Sequence, residues 1–403
     1  MSAEPVVTGA GAIGAWGVER RALHGALAAG HPLARRVEGT PDAATVPAAA
    51  CAALVPVLDL SPWLAPAHAR RMAMTSRWSV AAARMAVEEA RPGPRDGGRT
   101  AVVMATAFGS VWFTERLVRQ VLDEGPQAAQ PFYFSECVAN AAAGQVAIAE
   151  GARGANVTIA QREAGPLIAL SQAAAEVREE RAEAALAGAV DEMSPLLHRL
   201  LDRYRALARG AAGRAEAPRP FDLRRDGVLA GEGAAVLLVE PAATARARGA
   251  RTLARIRGTG SAFDPTATES DWGEGVETLA AALHRTLRRA GVAPEEIAGI
   301  VSGASGARRG DALEGKVLRS AWSGRTLPPI VAPKAVVGEY GGGILACALA
   351  ALDGASFGRP TQLTEHDPQM GIDLHTGSIP HGPILVSALA AGGAAAWVVM
   401  DRP

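Results

Sequence analysis

The stretch AAVLLV at 234–239 has no polar side chain on either face of an extended strand. A strand of that kind must be covered on both sides. Similar short apolar runs recur and alternate with longer helical ones. PVVT (5–8) precedes the amphipathic stretch 72–90, AVVMAT (101–106) is followed by WFTERLVRQVLDEG, and residues 138–150 read as a helix. NVTIA (156–160) is followed by AGPLIALSQAAAEVREE, and EAALAGAVDE (183–192) is a further strand with its turn. The second half repeats the rhythm: RTLARIRGTGSAF, a helix ETLAAALHRTLRRAG closed by Gly291, then GIVSGAS, LPPIVAP, GGGILACALAALDG and ILVSALAAGGAAAWVVM. The pattern predicts an α/β protein with a mostly parallel sheet covered on both faces, and a weak internal duplication. The arginine- and alanine-rich segment 201–225 reads as a long surface excursion.

Composition narrows the function. A chain of 403 residues, 49% hydrophobic, can bury a large core in two fused halves. Forty-one basic residues balance forty-one acidic ones, and aromatics are 4%, which argues against nucleic acid or an anionic membrane as partner. Cys51, Cys137 and Cys347 are far apart and odd in number, which fits a reducing compartment rather than a disulfide framework. With no signal-peptide pattern and no apolar span of membrane length, a cytoplasmic location is expected. Gly9, Gly11 and Gly14 spell the string G-x-G-x-x-G, but residues 22–40 read as helix and loop without the second strand and acidic residue of a dinucleotide site. They are taken as structural glycines at a tight strand exit.

The order of landmarks resembles the β-ketoacyl synthase family. The opening PVVTGAGAIGAWG, the segment 131–156, the signature FDLRRDGVLAGEGAAVLLVE (221–240), the glycine turn 338–343 with Lys334 before it, and the closing AAGGAAAWVVM all resemble family motifs in order and spacing. The resemblance covers nearly the whole chain. It implies a thiolase-like five-layered αβαβα fold with two pseudo-duplicated halves, divided as 1–245 and 246–403.

The departures from the family pattern are more telling. An active member carries a cysteine at the strand-to-helix turn after the alanine-rich helix, and Glu163 takes its place in VTIAQREAGPLIAL. Gly303, in IVSGASGARRGD, falls where the first catalytic histidine stands, and Glu339, in PKAVVGEYGGG, replaces the second. Lys334 matches the family's lysine, and the gating phenylalanine falls on Ala391. A carboxylate is a poor nucleophile toward a thioester and would form a labile anhydride; glycine has no side chain to move a proton. Cys137 reads as a small core residue. Glu163 and Glu339 beside one lysine form an ion cluster in which one carboxyl titrates abnormally.

Within the family, the resemblance is to chain-length-factor subunits of type II polyketide and polyene synthases. They lack the nucleophile and carry a Gln-Ala-Gly-Gly pattern, against Glu163, Ala164, Gly165 and Pro166 here. The resemblance implies a non-catalytic subunit that pairs with a catalytic ketosynthase as a heterodimer and shapes the tunnel for a chain carried on the phosphopantetheine of an acyl carrier protein. No cofactor or metal is expected on this chain. Phe108 and Trp112, four apart on one helical face near Glu115, fall where such subunits set the tunnel floor, and bulky Trp112 shortens it. Phe132, Tyr133 and Phe134 fall in the interface loop, with core packing as the alternative for each. Ala391 leaves open space at the former gate. Arg308, Arg309 and the arginines of 201–225 are read as solvated rather than carrier-binding. The competing readings are a malonyl-carrier decarboxylase and a homodimeric ketosynthase-like pseudoenzyme.

Overall fold

The computed structural model describes residues 3–40, 49–91, 97–210 and 216–403. Ten strands form one sheet: β1 Pro5–Ile13, β2 Thr100–Ala105, β3 Asn156–Ile159, β4 Ala184–Asp191 and β5 Gly233–Pro241, then β6 Ala254–Phe263, β7 Gly299–Val301, β8 Ile330–Val331, β9 Ile384–Leu389 and β10 Ala394–Asp401. The principal helices are α1 Arg20–Ala29, α2 Met74–Glu89, α3 Val111–Glu124, α4 Pro131–Cys137, α5 Ala141–Glu150, α6 Gly165–Arg178, α7 Pro195–Arg203, α8 Val276–Ala290, α9 Arg308–Ala321 and α10 Gly341–Leu352.

The strand order exposes the duplication. From one edge it runs β3-β2-β4-β5-β1, and from the other β8-β7-β9-β10-β6. Counted within each half, both read 3-2-4-5-1. In both, the first two contacts are parallel and the next two antiparallel. The halves meet at β1 and β6 through two residue pairs, Val6–Arg255 and Val7–Ala254. The sheet is therefore mixed, four parallel contacts against five antiparallel, and not mostly parallel as the apolar runs suggested. The fifth strand of each half is buried on both faces by helices, so it carries the same all-apolar signature as a parallel strand.

Three apolar clusters separate the layers. One packs α2 and α5 on the outer face of the first half-sheet, and a second packs α8 and α9 on the outer face of the other. The third and largest lies between the half-sheets and is built around α6 and α10, which touch strands of both. That arrangement is the expected αβαβα stack. The α10 sequence GGGILACALAAL is apolar all round because every side of it is core. No helix among the described residues is long and apolar enough to cross a membrane.

Three local expectations change. Gly9 and Gly11 lie inside β1 rather than in a turn after it. A Cβ on either would stand 1.9 Å from Ala86 O or 2.1 Å from Ala82 O, so these glycines let α2 lie against the strand. The turn comes at Gly14–Gly17, closed by a reciprocal pair of backbone hydrogen bonds. Phe132, Tyr133 and Phe134 belong to a short helix, α4, started by Pro131, and not to a loop. The segment 201–225 is not a surface excursion where it is described: Leu207, Ala208, Ala217, Arg219, Phe221 and Asp222 are buried. Buried carboxylates pin it, since Asp311 accepts from the Phe221 N–H at 3.0 Å and Asp222 accepts from Thr364 and Glu365. Residues 211–215 lie outside the described part. Gly291 closes α8 in the left-handed conformation, as expected.

Candidate functional site

Glu163 stands on a single 3-10 turn, Arg162–Ala164, that bends the chain from β3 into α6. Arg162 takes a left-handed φ of 44°, which a non-glycine residue adopts only in a sharp turn. Gly165 opens α6 where a Cβ would come 3.2 Å from the Ala105 side chain, so the helix start fits tightly under β2. The elbow delivers the Glu163 side chain to the interior: its Oε2 is buried and has no hydrogen-bond partner.

Lys334 and Glu339 come from the connection between β8 and α10, where Lys334 opens a short helical turn, Lys334–Val337. Lys334 is 1% exposed, and its Nζ is 2.6 Å from Glu339 Oε1. Glu339 Oε2 is buried and unpartnered, like the corresponding oxygen of Glu163. The Glu163 carboxyl is pushed up to about 7, first by burial and then by the charge of Glu339. Its own backbone N–H, Lys334 and Arg162 oppose the shift. The structure therefore brings Glu163, Lys334 and Glu339 together in one ionic cluster.

Gly303 lies at the end of β7, on the same side. Its N–H donates to Glu314 Oε1 at 3.3 Å. A Cβ at this position would stand 2.8 Å from Ser387 O and 3.0 Å from the Ala388 Cα. Neighbouring backbone thus occupies the space through which a side chain would leave. Glu314, on the buried face of α9, is raised to about 7 by burial, against hydrogen bonding from Ser387 and Ser302 and the charge of Lys334. Asp311, one turn earlier, is raised to about 6 by burial while it accepts from the Phe221, Ser305 and Gly306 N–H groups. Ala391 sits in the β9–β10 turn before Gly392 and Gly393, whose φ angles are 94° and 95°. Those two strands pack against the Arg162–Ala164 turn.

No cysteine joins this cluster as a nucleophile. Cys347 is buried within α10, with its thiol pushed far up by burial. Cys51 is raised to about 11 by burial and then by Glu216. Cys137 is half-buried on α4 and also raised by burial. A thiol raised in this way carries little thiolate near neutral pH. Among the described residues no group of three or more His, Cys, Asp or Glu is placed to hold a metal ion. Chemically, the site holds protons and fixed charge.

The aromatic candidates form a second region. Phe108 is 45% exposed and Trp112 49% exposed. They do not share a helical face, because α3 begins at Val111 and Phe108 belongs to the preceding loop. Trp112 is tethered while exposed: its backbone N–H donates to Glu192 Oε1 at 2.8 Å and its indole N–H to Met193 O at 3.1 Å. Phe132 and Phe134 face outward, but Tyr133 is 5% exposed. Tyr133 lies against Phe132 and Phe113, with the Arg116 guanidinium 4.9 Å from its ring centre, so for this residue core packing prevails. All fourteen residues of α3 remain at least partly accessible, and its apolar side includes exposed Val118, Val121 and Leu122.

Sequence reasoning passed over Asp191 and Glu192, the last two residues of AGAVDE. Asp191 joins the two regions: it accepts from Thr106, Ala107 and Phe108 on one oxygen and from the Gly341 N–H at 3.0 Å on the other. Two adjacent acids closing an all-apolar strand were the available signal.

Family models for the β-ketoacyl synthase N-terminal and C-terminal domains match residues 4–245 and 253–352. The 3-oxoacyl-[acyl-carrier-protein] synthase 2 of Mycobacterium tuberculosis (strain ATCC 25618 / H37Rv) is 30% identical over 321 residues, 76% of this chain and 75% of that protein. The enzyme of that name from Vibrio cholerae is 28% identical over 67% of this chain, and the match spans 66% of its own length. The solved structure titled the ishigamide ketosynthase/chain length factor superposes with a TM-score of 0.88 at 26% identity, covering 100% of both chains. A structure described as a type II PKS acyl-carrier protein in complex with its ketosynthase shares the fold, with a TM-score of 0.87 at 22% identity and 100% coverage of both. This chain belongs to the β-ketoacyl synthase family.

Proposed function

We propose that the chain is a non-catalytic subunit of the chain-length-factor kind. In this reading it pairs with an active ketosynthase and bounds the tunnel holding a growing chain delivered on an acyl carrier protein. The pathway is a type II polyketide, polyene or related fatty-acid-like one. The observation that carries the proposal is α3, an amphipathic helix without a single buried side chain, next to the outward-facing Phe132 and Phe134. Apolar surface of that extent on a soluble protein marks a place for a partner. β3 is the free edge of the same half-sheet, with unpaired backbone groups able to continue into another chain.

The changed site supports the same reading. Glu163, Gly303 and Glu339 supply neither thiolate nor imidazole, and Lys334 is held in an ion pair with Glu339. The cluster then acts as a structural core for the old cleft, and Ala391 leaves its former gate open. Phe108 and Trp112 are assigned to the tunnel floor, with Phe132 and Phe134 at the subunit interface. The likeness to a ketosynthase/chain length factor structure over the whole chain points the same way. Native mass spectrometry of the chain, alone and with a catalytic Cys-His-His ketosynthase, tests the assignment. A one-to-one complex is expected. A stable homodimer indifferent to such partners overturns it.

A further inference from the structure

The segment from Thr106 to Trp112 carries both tunnel-floor candidates, yet little of its attachment comes from apolar burial. Its anchors instead converge on three consecutive residues, 191–193, at the end of β4. Asp191 Oδ1 accepts from Thr106 Oγ1 at 3.1 Å, from the Ala107 N–H at 2.7 Å and from the Phe108 N–H at 3.3 Å. Thr106 Oγ1 in turn accepts from the Gly109 N–H at 2.9 Å. Glu192 Oε1 accepts from the Trp112 N–H, and Met193 O takes the indole N–H. The backbone N–H groups of Thr75 and Val111, in the first turns of α2 and α3, also lie near this buried carboxylate without a hydrogen bond of ordinary geometry. Both acids are buried, at 3% and 0% exposure.

We propose that Asp191 and Glu192 are specificity-positioning residues: they fix where the Phe108 and Trp112 rings stand, and through those rings they set product chain length. This rests on the chain-length-factor reading. Asp191 adds a second effect. Its other oxygen holds the Gly341 N–H, two residues after Glu339, so the tunnel-floor loop and the ionic cluster share one rigid support. Hydrogen bonds to a carboxylate are the strong ones, and loss of a buried acceptor leaves several N–H groups unpaired.

The two acids predict different responses to substitution. Glu192 uses one oxygen toward Trp112 while its Oε2 has no partner, so Glu192→Gln keeps the needed acceptor. Glu192→Ala removes it. Asp191 uses both oxygens, so Asp191→Ala releases the 106–108 donors and the Gly341 N–H together.

Two measurements test this on the full chain. Hydrogen exchange of the isolated protein reads the 106–112 amides directly. Exchange there rises about tenfold in Glu192→Ala and Asp191→Ala and stays at the wild-type level in Glu192→Gln, the size expected for one lost hydrogen bond. The complex with a catalytic ketosynthase and its malonyl-loaded carrier protein reads product length. The spread of lengths broadens in the same two variants and not in Glu192→Gln. Unchanged exchange overturns the anchoring. Unchanged lengths in the acid variants, where Trp112→Ala does shift them, overturn this proposal alone. Lengths that ignore Trp112→Ala as well overturn the tunnel reading and this proposal with it.

Discussion

Lys334 Nζ lies 2.6 Å from Glu339 Oε1 in a site where the lysine is 1% exposed, and Glu163 lies near enough for both charges to act on its carboxyl. The cluster is held by charge, so removing one member does more than delete a contact. Lys334→Met leaves Glu339 buried without its cation and costs about 3–5 kcal/mol. The double variant Lys334→Met/Glu339→Leu recovers much of that loss. Chemical denaturation of both checks the pair; equal destabilisation in the two would show that the charges do not act together.

The titration of this cluster gives stability a direction with pH. Glu163 and Glu314 are raised to about 7 from 4.5, and Asp311 to about 6 from 3.8. The unfolded chain releases these protons first, so their contribution is complete below pH ~4 and falls as pH rises toward 7. Glu163→Gln removes one such group. It is expected to be more stable than wild type at pH 8 by on the order of 1–2 kcal/mol, with a smaller difference at pH 5. Unfolding free energies at both pH values decide it.

Gly11→Ala tests the contact between β1 and α2. The added Cβ meets Ala82 O at 2.1 Å, and backbone has no side-chain rotamer with which to yield. A loss of about 3 kcal/mol or more is expected, at the upper end of overpacking costs. An unchanged melting temperature would mean that α2 does not press on the strand.

Leu122 is 77% exposed and Phe134 65% exposed. Substitution of either by Glu is expected to change the stability of the isolated chain by less than about 0.5 kcal/mol, as for most surface changes. The same substitutions are expected to weaken pairing with a catalytic ketosynthase by about tenfold or more, the loss typical of residues at an interface centre. Titration calorimetry beside thermal unfolding separates the two effects.

Trp112→Ala opens the floor assigned to the tunnel. Mass spectrometry of products from the reconstituted complex should show longer chains at an unchanged one-to-one stoichiometry. Shorter or identical chains would remove Trp112 from the floor.

Much of this protein was legible before any coordinates. The Glu163, Gly303 and Glu339 departures lay in ungapped matches to the family motifs, and it was the family resemblance that implied Lys334 beside both carboxylates. The errors have physical causes. Glycines in a strand resemble glycines in a turn, and only the approach of Ala82 and Ala86 tells them apart. Antiparallel β5 and β10 are as apolar as parallel strands because helices cover both of their faces. Tyr133 looks like its two phenylalanine neighbours, but a short helix turns it inward. Asp191 stood out only as an acid closing an apolar strand; its partners are backbone N–H groups from 84 and 150 residues away, which no local pattern encodes.

The crowding at Gly303 bears on any attempt to rebuild the site. The Ser387 carbonyl and the Ala388 Cα stand 2.8 and 3.0 Å from a new Cβ there, so a side chain requires that backbone to shift. Restoring a thiol at 163 and an imidazole at 339 would still leave a side chain at 303 to be accommodated. A reversion series ending at position 303 is thus expected to meet its main packing cost at that last step.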